Sequence, residues 1–294
     1  MFEGSIVAMI TPFDQDNKID EQGIEELVEF HVKNGTDGIV PCGTTGESPT
    51  LSHEEHKKVI ELTVKAVAGR VPVIAGTGSN STEEAIDLTA SAKELGADGV
   101  LLVMPYYNKP TQKGLYEHFK TIAEKVDIPG IIYNVPSRSG VNMLPSTLAE
   151  LAELKNVVAV KEASGNLEQM AEVMYLCGKN ITLLSGDDKI LLPVLSIGGK
   201  GVISVVANII PKEVSQMVKE FQKGNYQEAQ DLFFKTIYPL SRAMFYETNP
   251  IPVKTAVRLM GLPAGNLRLP MIDMEDSHFQ QLKKDLKEFN LLEG

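Results

Sequence analysis

Tryptophan is absent from the 294 residues, cysteine occurs twice, and aromatic side chains make up only 6% of the chain. The core must therefore be aliphatic, and with 43% hydrophobic residues it can be large. Cys42 and Cys177 lie far apart with no further thiol, which excludes a disulfide framework and a thiolate metal site and fits a reducing cytoplasm. An excess of basic charge is also missing. The 39 acidic and 28 basic side chains leave a net charge of -11, and no basic run follows a phosphate backbone, so nucleic acid is not an expected partner. No apolar stretch approaches the roughly 20 residues of a membrane span, and Met1-Phe2-Glu3-Gly4-Ser5 lacks the regions of a signal peptide. A soluble, unprocessed, cytoplasmic protein is expected.

Ligand-binding signatures are sparse as well. Among His31, His53, His56, His118 and His278, only His53 and His56 are close, and their i, i+3 spacing is not the i, i+4 pattern of zinc proteases. No metal site is expected, which argues against a metal-dependent aldolase. Gly76-Thr77-Gly78 lacks the third glycine of a dinucleotide fingerprint, so no cofactor is expected.

What is present is a repeat of short β-rich runs at intervals of about 25 to 30 residues. They cover Ile6–Ile10, Gly38–Pro41, Val71–Ala75, Gly99–Val103, Gly130–Tyr133, Val157–Val160, Ile181–Leu184 and Gly201–Val205. Amphipathic helical spacing fills most of the intervals, as in Ile24, Leu27, Val28, His31 and Val32. Ser52 with Glu55, and Ser81 with Glu84, read as capping boxes, while Gly35, Gly69 and Gly96 read as helix stops. Val/Ile/Leu-rich strands alternating with helices predict a closed (β/α)8 TIM barrel over residues 1–225 in preference to an open doubly wound sheet. Residues 226–294 show only helical spacing, at Ala229–Ile237, Pro239–Tyr246, Pro252–Met260 and Asp276–Phe289, and read as a C-terminal helical appendage.

A barrel gathers its chemistry at the C-terminal ends of its strands. Lys161 ends the run Val157-Val158-Ala159-Val160, where apolar neighbours favour the neutral amine that can attack a ketone. The alternative is a lysine that snorkels to solvent. The second strand runs into Cys42-Gly43-Thr44-Thr45-Gly46-Glu47, a loop able to hold a carboxylate or phosphate, or an ordinary turn with threonine caps. The fourth and fifth strands end in Tyr106-Tyr107 and Tyr133, where a hydroxyl can relay protons or simply pack. Arg138 offers a planar fork for a carboxylate. Asp187 and Asp188 read as helix caps, and Cys42 as a small packing residue.

Gly43-Thr44-Thr45-Gly46-Glu47, Tyr133-Asn134-Val135-Pro136-Ser137-Arg138-Ser139-Gly140 and Val160-Lys161-Glu162-Ala163 together resemble the dihydrodipicolinate synthase family. That family lies within the wider group of N-acetylneuraminate lyases and class I pyruvate aldolases, and the resemblance covers essentially the whole chain. It implies condensation of pyruvate with L-aspartate 4-semialdehyde to 4-hydroxy-tetrahydrodipicolinate, the first committed step of the lysine and diaminopimelate branch. By resemblance Lys161 forms the pyruvate imine, and Tyr133, Thr44 and Tyr107 move protons, Tyr107 from a neighbouring subunit. Thr45, with the backbones of Gly186 and Ile203, holds pyruvate, and Arg138 receives the semialdehyde carboxylate. Ser48, His53, His56, Asn80, Glu84 and Tyr106 match positions that bind inhibitory L-lysine in regulated members; as residues alone they read as surface and capping groups. A homo-oligomer, dimer or tetramer, is implied. The alternatives are a sialic-acid or keto-deoxy-sugar aldolase with the same imine, and a non-catalytic keto-acid-binding barrel.

Overall fold

A computed structural model describes residues 2–292. Its strands are β1 Gly4–Ala8, β2 Gly38–Val40, β3 Ile74–Gly76, β4 Gly99–Val103, β5 Gly130–Asn134, β6 Val157–Glu162, β7 Thr182–Ser185 and β8 Gly201–Ser204. All pair in parallel, in the order β2-β1-β8-β7-β6-β5-β4-β3. The two ends of that order meet through a parallel bridge between Ile39 and Val73 and through the Gly76 N–H, which donates to the Pro41 carbonyl at 2.9 Å. The sheet therefore closes into the expected TIM barrel. Only glycine fits at position 76, since a Cβ there would stand 2.2 Å from the Cys42 carbonyl oxygen.

Several strand boundaries differ from the sequence expectation. Expected from Val71, β3 begins at Ile74, because Pro72 has no N–H for the ladder and contributes only its carbonyl to Ile39 at 3.0 Å. Expected to reach Ile10, β1 stops at Ala8, where the Asn208 side chain replaces a strand partner. Its amide donates to Ala8 O at 2.8 Å and its oxygen accepts from Ile10 N at 3.1 Å. In the opposite sense β6 continues through Lys161 to Glu162, so the lysine lies within a paired strand.

Helices α1 Glu21–Lys33, α2 His53–Val67, α3 Thr82–Glu94 and α4 Gln112–Lys125 follow the first four strands. After β5 come α5 Pro136–Ser139, a single turn, and α6 Pro145–Leu151; then α7 Leu167–Cys177, α8 Leu191–Ser196 and α9 Pro211–Lys223 complete the ring. The Ser52–Glu55 capping box is reciprocal. At α3, Ser81 caps alone, because the Glu84 carboxylate turns to Ser79 and His53 instead. The C-terminal part comprises α10 Tyr226–Leu232, a π-helical turn Phe233–Ile237, α11 Tyr238–Ala243, α12 Ile251–Leu259 and α13 Asp276–Glu288.

Alternation along the strands sorts the core into two layers. Ile6, Ala8, Val40, Ile74, Leu101, Ile131, Ala159, Leu184 and Ile203 fill the barrel. Val7, Ile39, Ala75, Leu102, Ile132, Val160, Leu183 and Val202 pack against the helices. A residue two positions after Ala159 must point inward, and that residue is Lys161.

Candidate active site

Register brings the amine to its first neighbour. Tyr133 pairs with Lys161 across β5 and β6, both on the inward face, and the Lys161 Nζ lies 4.1 Å from the Tyr133 ring centroid. Lys161 is 5% exposed and Tyr133 7%. Burial pulls the Lys161 ammonium down to about 7, opposed by the charge of Asp188 and assisted by that of Arg138. Burial likewise pushes the Tyr133 hydroxyl up to about 12, while Arg138 and a hydrogen bond with Thr44 pull the other way. At neutral pH the pair is thus an amine with a substantial neutral fraction beside a phenol that stays protonated. Such a phenol relays protons by accepting and donating together rather than by ionising.

The threonine loop sits across from them. Its flanking residues Cys42 and Glu47 both have φ of 55°, an uncommon left-handed conformation for side chains other than glycine. Neighbours hold it there. The buried Glu47 carboxylate accepts from Lys254 Nζ at 2.5 Å and from the Arg268 N–H at 3.0 Å, while Cys42 is a buried packing residue, as expected. Thr45 is buried, and its hydroxyl oxygen accepts from the Asn249 amide at 3.1 Å. Arg138 lies in α5, a turn that Pro136 starts and Gly140 closes at a φ of 72°. Its Nη2 donates to the Asn249 carbonyl at 3.0 Å.

Thr44, Tyr133 and Arg138 line one cavity of about 410 Å³. Lys161 is not part of that lining, but Tyr133, whose ring it touches, is. Gly186 lies against the lysine, since a Cβ there would meet Lys161 Cγ at 3.1 Å; Ile203 belongs to the same interior layer. Tyr107 does not join them. It is 88% exposed, at a φ of 72° in the loop after β4.

Ser48, His53, His56, Glu84 and Tyr106 line the same cavity as the catalytic candidates, and Asn80 stands beside it, donating to Tyr106 O at 3.2 Å. His53 and Glu84 pair at 2.9 Å, and the buried His56 contacts Gly76 O at 2.7 Å. The capping expectation holds for Asp187, which accepts from Lys189 N at 3.0 Å, but is corrected for Asp188. Buried Asp188 leaves its own turn and accepts from Val205 N and Val206 N at 2.9 and 3.0 Å, joining β7 to the end of β8. Burial raises its pKa.

Sequence reasoning missed Asn249 and Lys254. Lys254 leaves a trace, a lone charge in the apolar run Ile251-Pro252-Val253-Lys254-Thr255-Ala256-Val257. Asn249 leaves none, because its partners are 204 and 111 residues away. Among the described residues no group of three or more His, Cys, Asp or Glu is placed to hold a metal ion, and no helix is long and apolar enough to cross a membrane.

A family model described as "Dihydrodipicolinate synthetase family" matches residues 1–289. The 4-hydroxy-tetrahydrodipicolinate synthase of Geotalea daltonii is 57% identical over 292 residues, 99% of this chain and 100% of the relative. A solved dihydrodipicolinate synthase from Aquifex aeolicus is 50% identical and superimposes with a TM-score of 0.97 over 100% of both chains. A second, from Cyanidioschyzon merolae with lysine bound, is 44% identical with a TM-score of 0.96 over 99% of each.

Proposed function

The chain belongs to the dihydrodipicolinate synthetase family, lyases of the class I aldolase type, and we propose that Lys161 is the amine on which pyruvate is covalently held. The enzyme condenses pyruvate with L-aspartate 4-semialdehyde to give 4-hydroxy-tetrahydrodipicolinate, the first committed step of the lysine and diaminopimelate branch.

The observation that carries the proposal is the inward-facing amine, buried against Tyr133 and lowered to about 7. Neutral Lys161 adds to the pyruvate ketone, whose oxygen leaves as water, and the imine then loses a methyl proton to become an enamine. The enamine carbon bonds to the aldehyde carbon of the second substrate. That substrate's amino group then displaces the lysine and closes the ring. Tyr133 and Thr44 pass the protons, and Thr45, Gly186 and Ile203 surround the pyruvate. Arg138 receives the semialdehyde carboxylate. General acid–base assistance of this kind contributes roughly 10²–10⁴-fold. Borohydride reduction in the presence of pyruvate should place a pyruvate-derived mass on Lys161. Undiminished labelling in Lys161→Ala would move the imine elsewhere.

Residues 1–225 are taken as the catalytic barrel and 226–294 as a helical domain that supplies Asn249 and Lys254 to the barrel's loops. Two buried thiols and the biosynthetic family support a cytoplasmic location. The exposed Tyr107 supports a homo-oligomer in which that side chain completes a neighbour's site. L-lysine is taken as an inhibitor bound by Ser48, His53, His56, Asn80, Glu84 and Tyr106, since five of the six line the catalytic cavity. Titration calorimetry with L-lysine should show heat that Glu84→Ala abolishes, and no heat at millimolar L-lysine would remove this part.

A further inference from the structure

We propose that Asn249 is a positioning residue that fixes both substrate subsites at once, its side chain orienting Thr45 and its main chain orienting Arg138. The inference rests on the roles given above to those two residues. Asn249 is 4% exposed and stands between α11 and α12, outside the barrel strands. Its amide nitrogen donates to Thr45 Oγ1 at 3.1 Å, and its carbonyl oxygen accepts from Arg138 Nη2 at 3.0 Å.

The direction of the first bond matters. A hydroxyl has one hydrogen, and an amide N–H that occupies its oxygen as acceptor leaves that hydrogen to be given away. Thr45 is thereby set as a donor, the polarity a substrate carboxylate requires. The second bond occupies one guanidinium N–H and leaves the rest of the fork for the other substrate. The amide oxygen of Asn249 is buried without a partner among the described residues. An unpaired buried acceptor is unfavourable, so the side chain is not explained by its own satisfaction. Its segment is anchored independently, because Lys254 of α12 bonds the buried Glu47 at the far end of the same threonine loop.

Side-chain replacement separates the two contacts, since the main-chain carbonyl remains. In the full-length enzyme, Asn249→Ala should raise the KM for pyruvate roughly tenfold, the worth of one charge-assisted hydrogen bond. Asn249→Asp should raise it further, because a carboxylate only accepts and would capture the Thr45 hydrogen. Asn249→Ala should leave the KM for aspartate semialdehyde within about twofold, as the main-chain contact to Arg138 is untouched. The double variant Asn249→Ala/Thr45→Val should be no worse than Thr45→Val alone. Additive losses, or a parallel rise in both KM values with a lowered Tm, would overturn the inference by showing independent or merely structural action. If Thr45→Val raises the pyruvate KM and the Asn249 variants do not, this inference alone fails. If Thr45→Val itself has no effect, the assignment of Thr45 fails and takes this inference with it.

Discussion

A lysine amine lowered to about 7 while its ordinary value is 10.5 is a burden on the fold, whatever it contributes to the proposed imine chemistry. Between those values the unfolded chain binds a proton that the folded chain does not. The destabilisation is therefore complete below about pH 7 and fades as pH rises towards 10.5. Lys161→Met, which keeps the volume and removes the charge, should stabilise the protein by up to several kcal/mol near pH 6.5, and by less at pH 9.5. Urea unfolding at the two pH values checks this; an equal gain at both would mean that the amine is not the source. In the wild type, imine formation should accelerate as pH rises through about 7, as the neutral amine accumulates. Lys161 and Tyr133 were legible in the sequence because each ends an apolar run where a barrel gathers its polar groups, and the resemblance supplied their roles. Asp188 was not, since a carboxylate beside a helix start looks the same whether it caps its own turn or reaches β8, 17 residues away.

At the level of elements, the end of β6 is held by a buried polar network that no periodicity announces. The Glu162 carboxylate accepts from Ser164 N at 2.6 Å, Asn134 Nδ2 at 2.9 Å and Gln169 Nε2 at 3.2 Å. Asn142 links to both Asn134 and Gln169 at 2.8 Å, so the network joins β5, β6 and α7 around the residue next to Lys161. Sequence reading ended β6 at Val160 because apolar residues stop there, yet these bonds substitute for apolar burial and carry the strand further. Glu162→Ala removes the common acceptor of three hydrogen bonds, two of them buried, and should cost about 2–4 kcal/mol. It should also slow trapping of pyruvate on Lys161, whose strand loses its terminal anchor. A loss below about 0.5 kcal/mol in denaturant titration would show that water replaces the carboxylate without penalty.

At the scale of the whole molecule, the barrel was legible because eight apolar runs with intervening helices leave few other closed arrangements, whereas contacts across 100 or more residues were invisible. Asn249 and Lys254 are the local consequence of that blindness; Tyr107 was placed at a neighbour's site by resemblance alone. Tyr107 is 88% exposed at a φ of 72° and is not among the residues that line the cavity with Thr44 and Tyr133, yet it follows β4 on the face where the site opens. If it completes a neighbour's site, two defective chains should repair each other. Lys161→Ala supplies an intact Tyr107, and Tyr107→Phe supplies an intact Lys161, so a mixed dimer holds one complete site and one doubly defective site. Random mixing in equal amounts should restore about a quarter of the wild-type sites if the unit is a dimer. The measurement is synthase activity after the two variants are dissociated, mixed and reassembled, compared with each variant treated alone. Were Tyr107 to act within its own chain, every Lys161 would still meet a phenylalanine, and mixing would give no more than the average of the two variants.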